Sequence, residues 1–210
     1  MSPAIVALFA FAWVGVLIFQ LWMQFSPGRK KKRALVDAIG SGDLAAVQEI
    51  VSNGLSPNFN YWSHISWLWM GSPLSLAAHK MGPSIADFLI ANGASIAPRS
   101  PGNETLLSNA VGGGNFKLID IALAAGHDIH FQPEKQSKPL AKAIHHQMVP
   151  MARFLISRGA SKEDLTAGDC RWHAMNSETI LFVQEIGMDV PPDILRAARN
   201  GEWDLPGKPA

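Results

Sequence analysis

The sequence is nearly free of cysteine: its 210 residues include one, Cys170. A lone thiol cannot form an internal disulfide, which excludes a disulfide-stabilised secreted scaffold and is compatible with a reducing compartment. Charged residues are also scarce at 17%, whereas 48% of the residues are hydrophobic. This balance excludes a chain that is disordered throughout, and the length predicts one or two folded domains.

Charge is absent from the first 28 residues, and the five residues that follow, Arg29–Arg33, are all basic. This block holds five of the 18 basic residues, so the remainder of the chain carries more acidic than basic side chains. A net negative remainder is unsuited to general nucleic-acid binding, which needs many cations against the phosphates. We therefore expect no nucleic-acid partner.

The uncharged segment predicts a transmembrane helix. Ala4–Phe25 contains 22 residues interrupted only by Gln20 and Gln24, and at ~1.5 Å per residue it spans roughly 33 Å, enough for a bilayer core. The basic block after it places the remainder of the chain in the cytoplasm. The expected organisation is a transmembrane helix within residues 1–27, a basic juxtamembrane linker at 28–34, and a cell-membrane location with one pass.

A cleaved signal peptide is the alternative interpretation of this segment. It would need positive charge before the apolar run and small residues at a cleavage site, and neither is present. A retained helix is therefore favoured. The basic block is best explained as a topology determinant, although it should attract anionic lipid by about 1 kcal/mol per cation.

The rest of the chain repeats with a period of 33 residues. Each unit has a leucine, an alanine three positions later and a glycine nineteen positions later. The four sets are Leu35, Ala38, Gly54; Leu74, Ala77, Gly93; Leu107, Ala110, Gly126; and Leu140, Ala143, Gly159. A large and a small apolar residue three apart share one face of a short helix, and glycine suits a left-handed helix cap. The interval from Leu35 to Leu74 is longer than 33 and indicates a six-residue insertion.

A turn is predicted inside each unit. Glycine stands there at Gly42, Gly82 and Gly114, while Gln147 replaces it in one copy and Pro150 marks the next helix start. The pattern is helix, turn, helix and extended loop. It resembles the ankyrin repeat, through SPLSLAAHKMG at Ser72–Gly82, FLIANGASI at Phe88–Ile96 and FLISRGAS at Phe154–Ser161.

The resemblance implies an all-α helix-turn-helix solenoid of about four to five repeats over residues 35–200, preceded by the transmembrane helix. The fifth unit, from about Asp164 to Gly187, is eroded, and Asp193–Asn200 is expected to be a capping helix. Residues 201–210 are expected to form a loose tail. The chain departs from the family pattern at Ser75, where histidine is usual.

The resemblance also implies a protein that binds another protein through its hairpin tips and first helices, with no catalytic centre and no cofactor. The bilayer would contact residues 4–25. The candidate partner-binding residues are Tyr61, Trp62, Trp67, Trp69, His79, Lys80, Asn109, Lys142 and His146.

The insertion is the most unusual local feature, because aromatic residues crowd into Phe59–Gly71 where an exposed tip is expected. Three interpretations remain open: an anchor for a partner, contact with the lipid interface, and packing over the first repeat.

The sequence gives little support for metal binding, catalysis or phosphate binding. His145 and His146 are adjacent rather than one helical turn apart, and Cys170 with His173 lacks further metal ligands or catalytic groups. The glycines at 112–114 lack the lysine of a phosphate-binding loop and indicate a helix end.

We therefore expect a membrane-anchored tether or adaptor that acts by protein–protein interaction. One alternative is a structural accessory subunit that acts mainly through its transmembrane helix. A more remote alternative is an enzyme or metal-binding protein that uses the histidines and Cys170.

Overall fold

The computed structural model describes residues 27–62, 70–79, 83–98, 106–132 and 137–203. The predicted membrane span, Ala4–Phe25, lies outside these residues. Among the helices that the structure does describe, none is long and apolar enough to cross a membrane.

The described chain consists of paired short helices and one small hairpin. The elements are α1 (Pro27–Ser41), α2 (Leu44–Ser52), β1 (Tyr61–Trp62), β2 (Met70–Gly71), α3 (Pro73–His79), α4 (Pro83–Ala91), α5 (Leu106–Gly112), α6 (Phe116–Ala124), α7 (Pro139–His145), α8 (Val149–Ser157), 3₁₀ helices at Lys162–Asp164, Ala167–Asp169 and Trp172–Ala174, α9 (Ser177–Glu185) and α10 (Pro192–Arg199). The strands are antiparallel, with Tyr61 opposite Gly71 and Trp62 opposite Met70.

The helices form a stack of repeated pairs. The first helices α1, α3, α5 and α7 pack side by side in chain order, and each packs against the second helix of its own unit. The leucine and alanine of every repeat are buried in one continuous core, all at 8% exposure or less. The all-helical stack that the period predicted is therefore confirmed, with the small hairpin as an addition to it.

The repeated glycine has the same backbone conformation in all four units. Gly54, Gly93, Gly126 and Gly159 have φ values between +83° and +106°, and each follows a second helix. This is the left-handed region that side chains with a Cβ rarely adopt. The spacing of nineteen residues thus correctly locates the end of every second helix.

Polar caps and proline define where the second helices begin. Asp43, Asn115 and Asn176 each accept a hydrogen bond from a backbone N–H at the start of α2, α6 and α9. Such a side chain satisfies one of the N–H groups that a helix start leaves without an intrahelical partner. In α8 the cap residue makes no such bond, and Pro150 occupies the first turn instead, as the sequence predicted.

Three boundaries differ from the expectation. Residues 28–34, expected to be a linker, belong to α1. Three 3₁₀ helices take the place of a first α-helix in the eroded fifth unit, because that unit is shorter than the others. Trp203, within the expected loose tail, is 8% exposed and its indole N–H donates to the carbonyl oxygen of Met175 at 3.0 Å. The packed structure therefore extends past the capping helix α10.

Candidate partner-binding surface

Three successive first helices contribute polar side chains to one row, which we call the polar row: Ser75, Asn109 and Lys142. The amide nitrogen of Asn109 donates to the hydroxyl oxygen of Ser75 at 2.9 Å and lies 3.3 Å from the Ser75 carbonyl oxygen. The ammonium of Lys142 donates to the amide oxygen of Asn109 at 3.4 Å. Asn109 and Lys142 stand two residues after the repeated leucine of α5 and α7, so the 33-residue period itself aligns them.

Gly112, at the end of α5, lies beneath two of the predicted site residues. A Cβ placed there would be 2.9 Å from Cε and 3.4 Å from Nζ of Lys142, and 3.5 Å from Nδ1 of His79. The lysine stem therefore crosses the space that a Cβ at position 112 would fill, with the histidine ring beside it. Burial lowers the pKa of Lys142, because removing water disfavours the charged ammonium.

His146 extends this basic region at the carboxyl end of α7, where it is the C-cap residue. Its pKa is lowered by partial burial and by the positive charges of Lys142 and His145. His145 lies 3.5 Å from the carboxylate of Asp169. The structure thus brings together His79, Asn109, Lys142 and His146, four of the residues predicted for binding. Asn109 is 2% exposed, so it supports Lys142 from inside the stack and does not itself face a partner.

The remaining predicted site residues belong to the aromatic insertion and to the following turn. The backbone of Tyr61 and Trp62 forms β1, which packs beside α1. Trp67, Trp69 and Lys80 lie outside the described residues. Their role in binding stays a prediction.

The loops between units are joined by side chains that reach from one unit to the next. Asn58 donates from its amide to the Gly93 carbonyl oxygen at 2.8 Å and accepts from the Ser95 N–H at 2.7 Å. Nε2 of His127 lies 2.8 Å from the carbonyl oxygen of Ile96. Burial of its ring lowers the pKa of His127, and this outweighs the opposing effect of that hydrogen bond. These bonds fix the loops that flank the polar row.

The second helices carry a row of ion pairs on the opposite side of the repeats. Lys117 pairs with Asp87 at 2.8 Å. Arg158 binds both carboxylate oxygens of Asp120, at 2.7 and 3.1 Å. In the same way Arg153 binds both oxygens of Glu185, at 2.8 and 2.6 Å. Each pair joins neighbouring units, so Asp87, Asp120 and Glu185 are already occupied.

The residues considered for enzymatic or metal chemistry do not form a site in the described structure. Within the described ranges, no three His, Cys, Asp or Glu residues lie close enough together to hold a metal ion. The Cys170 thiol is buried, as expected, and burial together with the charge of Asp169 raises its pKa, which disfavours the nucleophilic thiolate.

Several features of this surface were not predicted from the sequence. Ser108 of α5 is 1% exposed, and its hydroxyl has no hydrogen-bond partner in the described structure. The role of Gly112 under Lys142 was not foreseen, because nothing in one repeat shows what the next repeat places over it. The alignment of Asn109 with Lys142 could have been found, since the two are one period apart.

Comparisons with known proteins agree with the repeat architecture. No protein-family model matches the chain. The chain is similar to an ankyrin repeat and KH domain-containing protein of Caenorhabditis briggsae, with 28% identity over 139 residues. The match covers 64% of this chain but 5% of that much longer protein. The similarity therefore supports an ankyrin-type repeat structure and extends no further.

Proposed function

We propose that the chain is a membrane-anchored interaction module, a tether or adaptor, which binds another protein through its first-helix face and hairpin tips. The observation that carries this proposal is the group of accessible basic side chains on the first helices, His79, Lys142 and His146, in which the buried Ser75 and Asn109 support Lys142 from below. Stacked repeats bring their first helices into line, and such a surface suits an extended segment of a partner. The similarity to an ankyrin repeat protein supports a binding role rather than a catalytic one.

The membrane anchor in this proposal is the segment Ala4–Phe25, and the repeat stack lies on the cytoplasmic side. Two features support it: the segment carries no charge, and five basic residues follow it. The first packed helix, α1, begins at Pro27, only two residues after the proposed span. So short a connection would hold the stack close to the membrane surface.

Site-specific crosslinking tests which face binds the partner. A photoreactive amino acid would replace His146, beside the polar row, or Lys117, on the second-helix face, in the full chain expressed in its native cells. We expect one discrete crosslinked protein from position 146 and none from position 117. The two positions are both exposed, which makes the second a matched control.

The accessory-subunit alternative gives a different result in the same experiment. If the chain acts mainly through its apolar segment, probes within residues 4–25 would crosslink to a protein while position 146 would not. That outcome, or equal crosslinking from both faces of the stack, would contradict binding by the first-helix face.

A further inference from the structure

Charge is distributed unequally between the two faces of the stack. The three central first helices, α3, α5 and α7, contain no Asp or Glu, whereas they carry His79, Lys142 and His145. Asp87, Asp120 and Glu185 of the second helices are paired with basic residues across neighbouring units. The three central first helices therefore offer basic but no acidic side chains, whereas the second helices carry charges of both signs.

Two contacts restrict the Lys142 side chain. Asn109 donates its amide nitrogen to Ser75 and accepts from the Lys142 ammonium at its amide oxygen. The lysine stem crosses Gly112, where a Cβ would approach Cε to 2.9 Å. A lysine that is restricted before binding loses less side-chain entropy when a ligand arrives.

In the part of the chain that the structure describes, the Lys142 ammonium has a hydrogen-bond acceptor but no counter-ion. Among the described residues, no carboxylate forms an ion pair with it, although the side chain is half-buried. The titratable side chains that the structure describes beside it are His79 and His146, and Asp169 lies against His145. A partly desolvated cation in this position gains from an incoming carboxylate, which would restore the interaction lost with water.

We propose that the first-helix face binds an acidic segment of the partner protein, with an Asp or Glu carboxylate paired to Lys142 over Gly112, between His79 and His146. The inference rests on the proposed function and names the chemistry of the partner at the same surface. An acidic peptide fits better than a nucleic acid, because the face offers a few placed cations rather than the many that a phosphate backbone neutralises.

Selection from a random twelve-residue peptide library on the purified full chain, in detergent micelles, tests this inference. We expect the enriched peptides to be rich in Asp and Glu, and replacing those residues by Asn and Gln to weaken binding at least tenfold. That factor corresponds to the loss of one charge-assisted hydrogen bond. Enrichment of peptides without acidic residues, or of none, would overturn the proposal.

Two matched variants locate the carboxylate. Lys142→Met keeps an unbranched stem but removes the charge. We expect this variant to bind the acidic peptides at least tenfold more weakly than wild type. Lys117→Met removes a charge from the opposite face and should change affinity less than twofold. Lys142→Arg should retain most of the binding. Equal affinity of wild type and Lys142→Met for the acidic peptides would overturn the proposal. If Lys142→Met fails to fold, the peptides with Asn and Gln in place of Asp and Glu still test the proposal on the wild-type chain.

Other anionic ligands and the underlying function are tested separately. Vesicles with and without phosphatidylserine would be added to wild type and Lys142→Met. Lipid binding that depends on Lys142 would reassign the site to a membrane surface and overturn the peptide proposal. If crosslinking at position 146 identifies a partner but no acidic peptide binds, the charge inference fails while the proposed function stands.

Discussion

Gly113 marks the closest approach between two repeats. A Cβ at this position would lie 1.9 Å from the backbone carbonyl oxygen of Ala78 in α3, far inside contact distance. Since backbone rather than a flexible side chain would have to move, we expect Gly113→Ala to destabilise the fold by about 3 kcal/mol, the upper part of the range for overpacking. Thermal and urea unfolding of the purified chain would measure the change.

Gly40 supplies the control for that substitution. It lies in α1, and a Cβ there would meet nothing within 4 Å. Because alanine is the better helix former, Gly40→Ala should leave stability unchanged or raise it by up to about 1 kcal/mol. Equal effects at positions 40 and 113 would show that the close approach of α3 and α5 has no energetic weight.

Gln147 shows how one side chain compensates for an unfavourable backbone. It occupies the turn position that Gly42 and Gly114 fill in other units, and it has a φ of +56°. Its side-chain amide donates to the carbonyl oxygen of Ala174 at 2.9 Å and accepts from the N–H of Asn176 at 2.9 Å. The sequence revealed that a glycine is missing here, but the compensating bonds come from a segment whose position depends on the fold.

The loops before α7 and after α8 are joined through one buried carboxylate, Asp164. It accepts hydrogen bonds from the Ser161 N–H at 3.0 Å, from His130 at 2.9 Å and from Lys138 at 3.2 Å. Burial alone would raise its pKa, but the hydrogen bonds outweigh this effect and hold the pKa below its usual value.

A lowered pKa in the folded state makes the contribution of Asp164 depend on pH. The stabilisation is fully present above the unfolded pKa of about 3.9 and is lost as pH falls through the lower folded pKa. We therefore expect Asp164→Asn to reduce the free energy of unfolding at neutral pH, and the difference from wild type to shrink below about pH 4. Urea unfolding at several pH values measures this. Asp189→Asn, at an exposed position, serves as the matched control for the change of an aspartate to asparagine.

The carboxyl-terminal end of the stack is closed by Trp203 together with α10. Trp203 is buried and donates to the Met175 carbonyl oxygen across the shortened fifth unit. Trp203→Ala should lower the free energy of unfolding by about 3 kcal/mol or more, because packing is lost. Trp203→Phe should lower it by about 1 kcal/mol, because the hydrogen bond is lost. Thermal unfolding would compare the two, and equal small effects would show that the indole does not stabilise this end.

The sequence predicted those features that repeat, and it could not predict contacts made between different units. Leucine, alanine and glycine at fixed spacing located the first four helix pairs, because each has a local physical role. The tie from Asn58 to Gly93 and the Asp164 cluster join residues more than 25 positions apart. No pattern within one unit specifies such contacts, so the polar row was found only as separate candidates.

The orientation of the complete chain in a membrane is the remaining prediction. Five consecutive basic residues follow an uncharged 22-residue segment, and such residues are retained on the cytoplasmic side. We expect a reporter fused after Ala210 to be active only in the cytoplasm. Replacing Arg29–Arg33 by glutamine should lower the fraction of molecules whose reporter is cytoplasmic. Replacing the distant Arg171, Arg196 and Arg199 should not, because basic residues influence orientation only within about 20 residues of a span. Recovery of a shortened, exported protein would instead identify the segment as a cleaved signal.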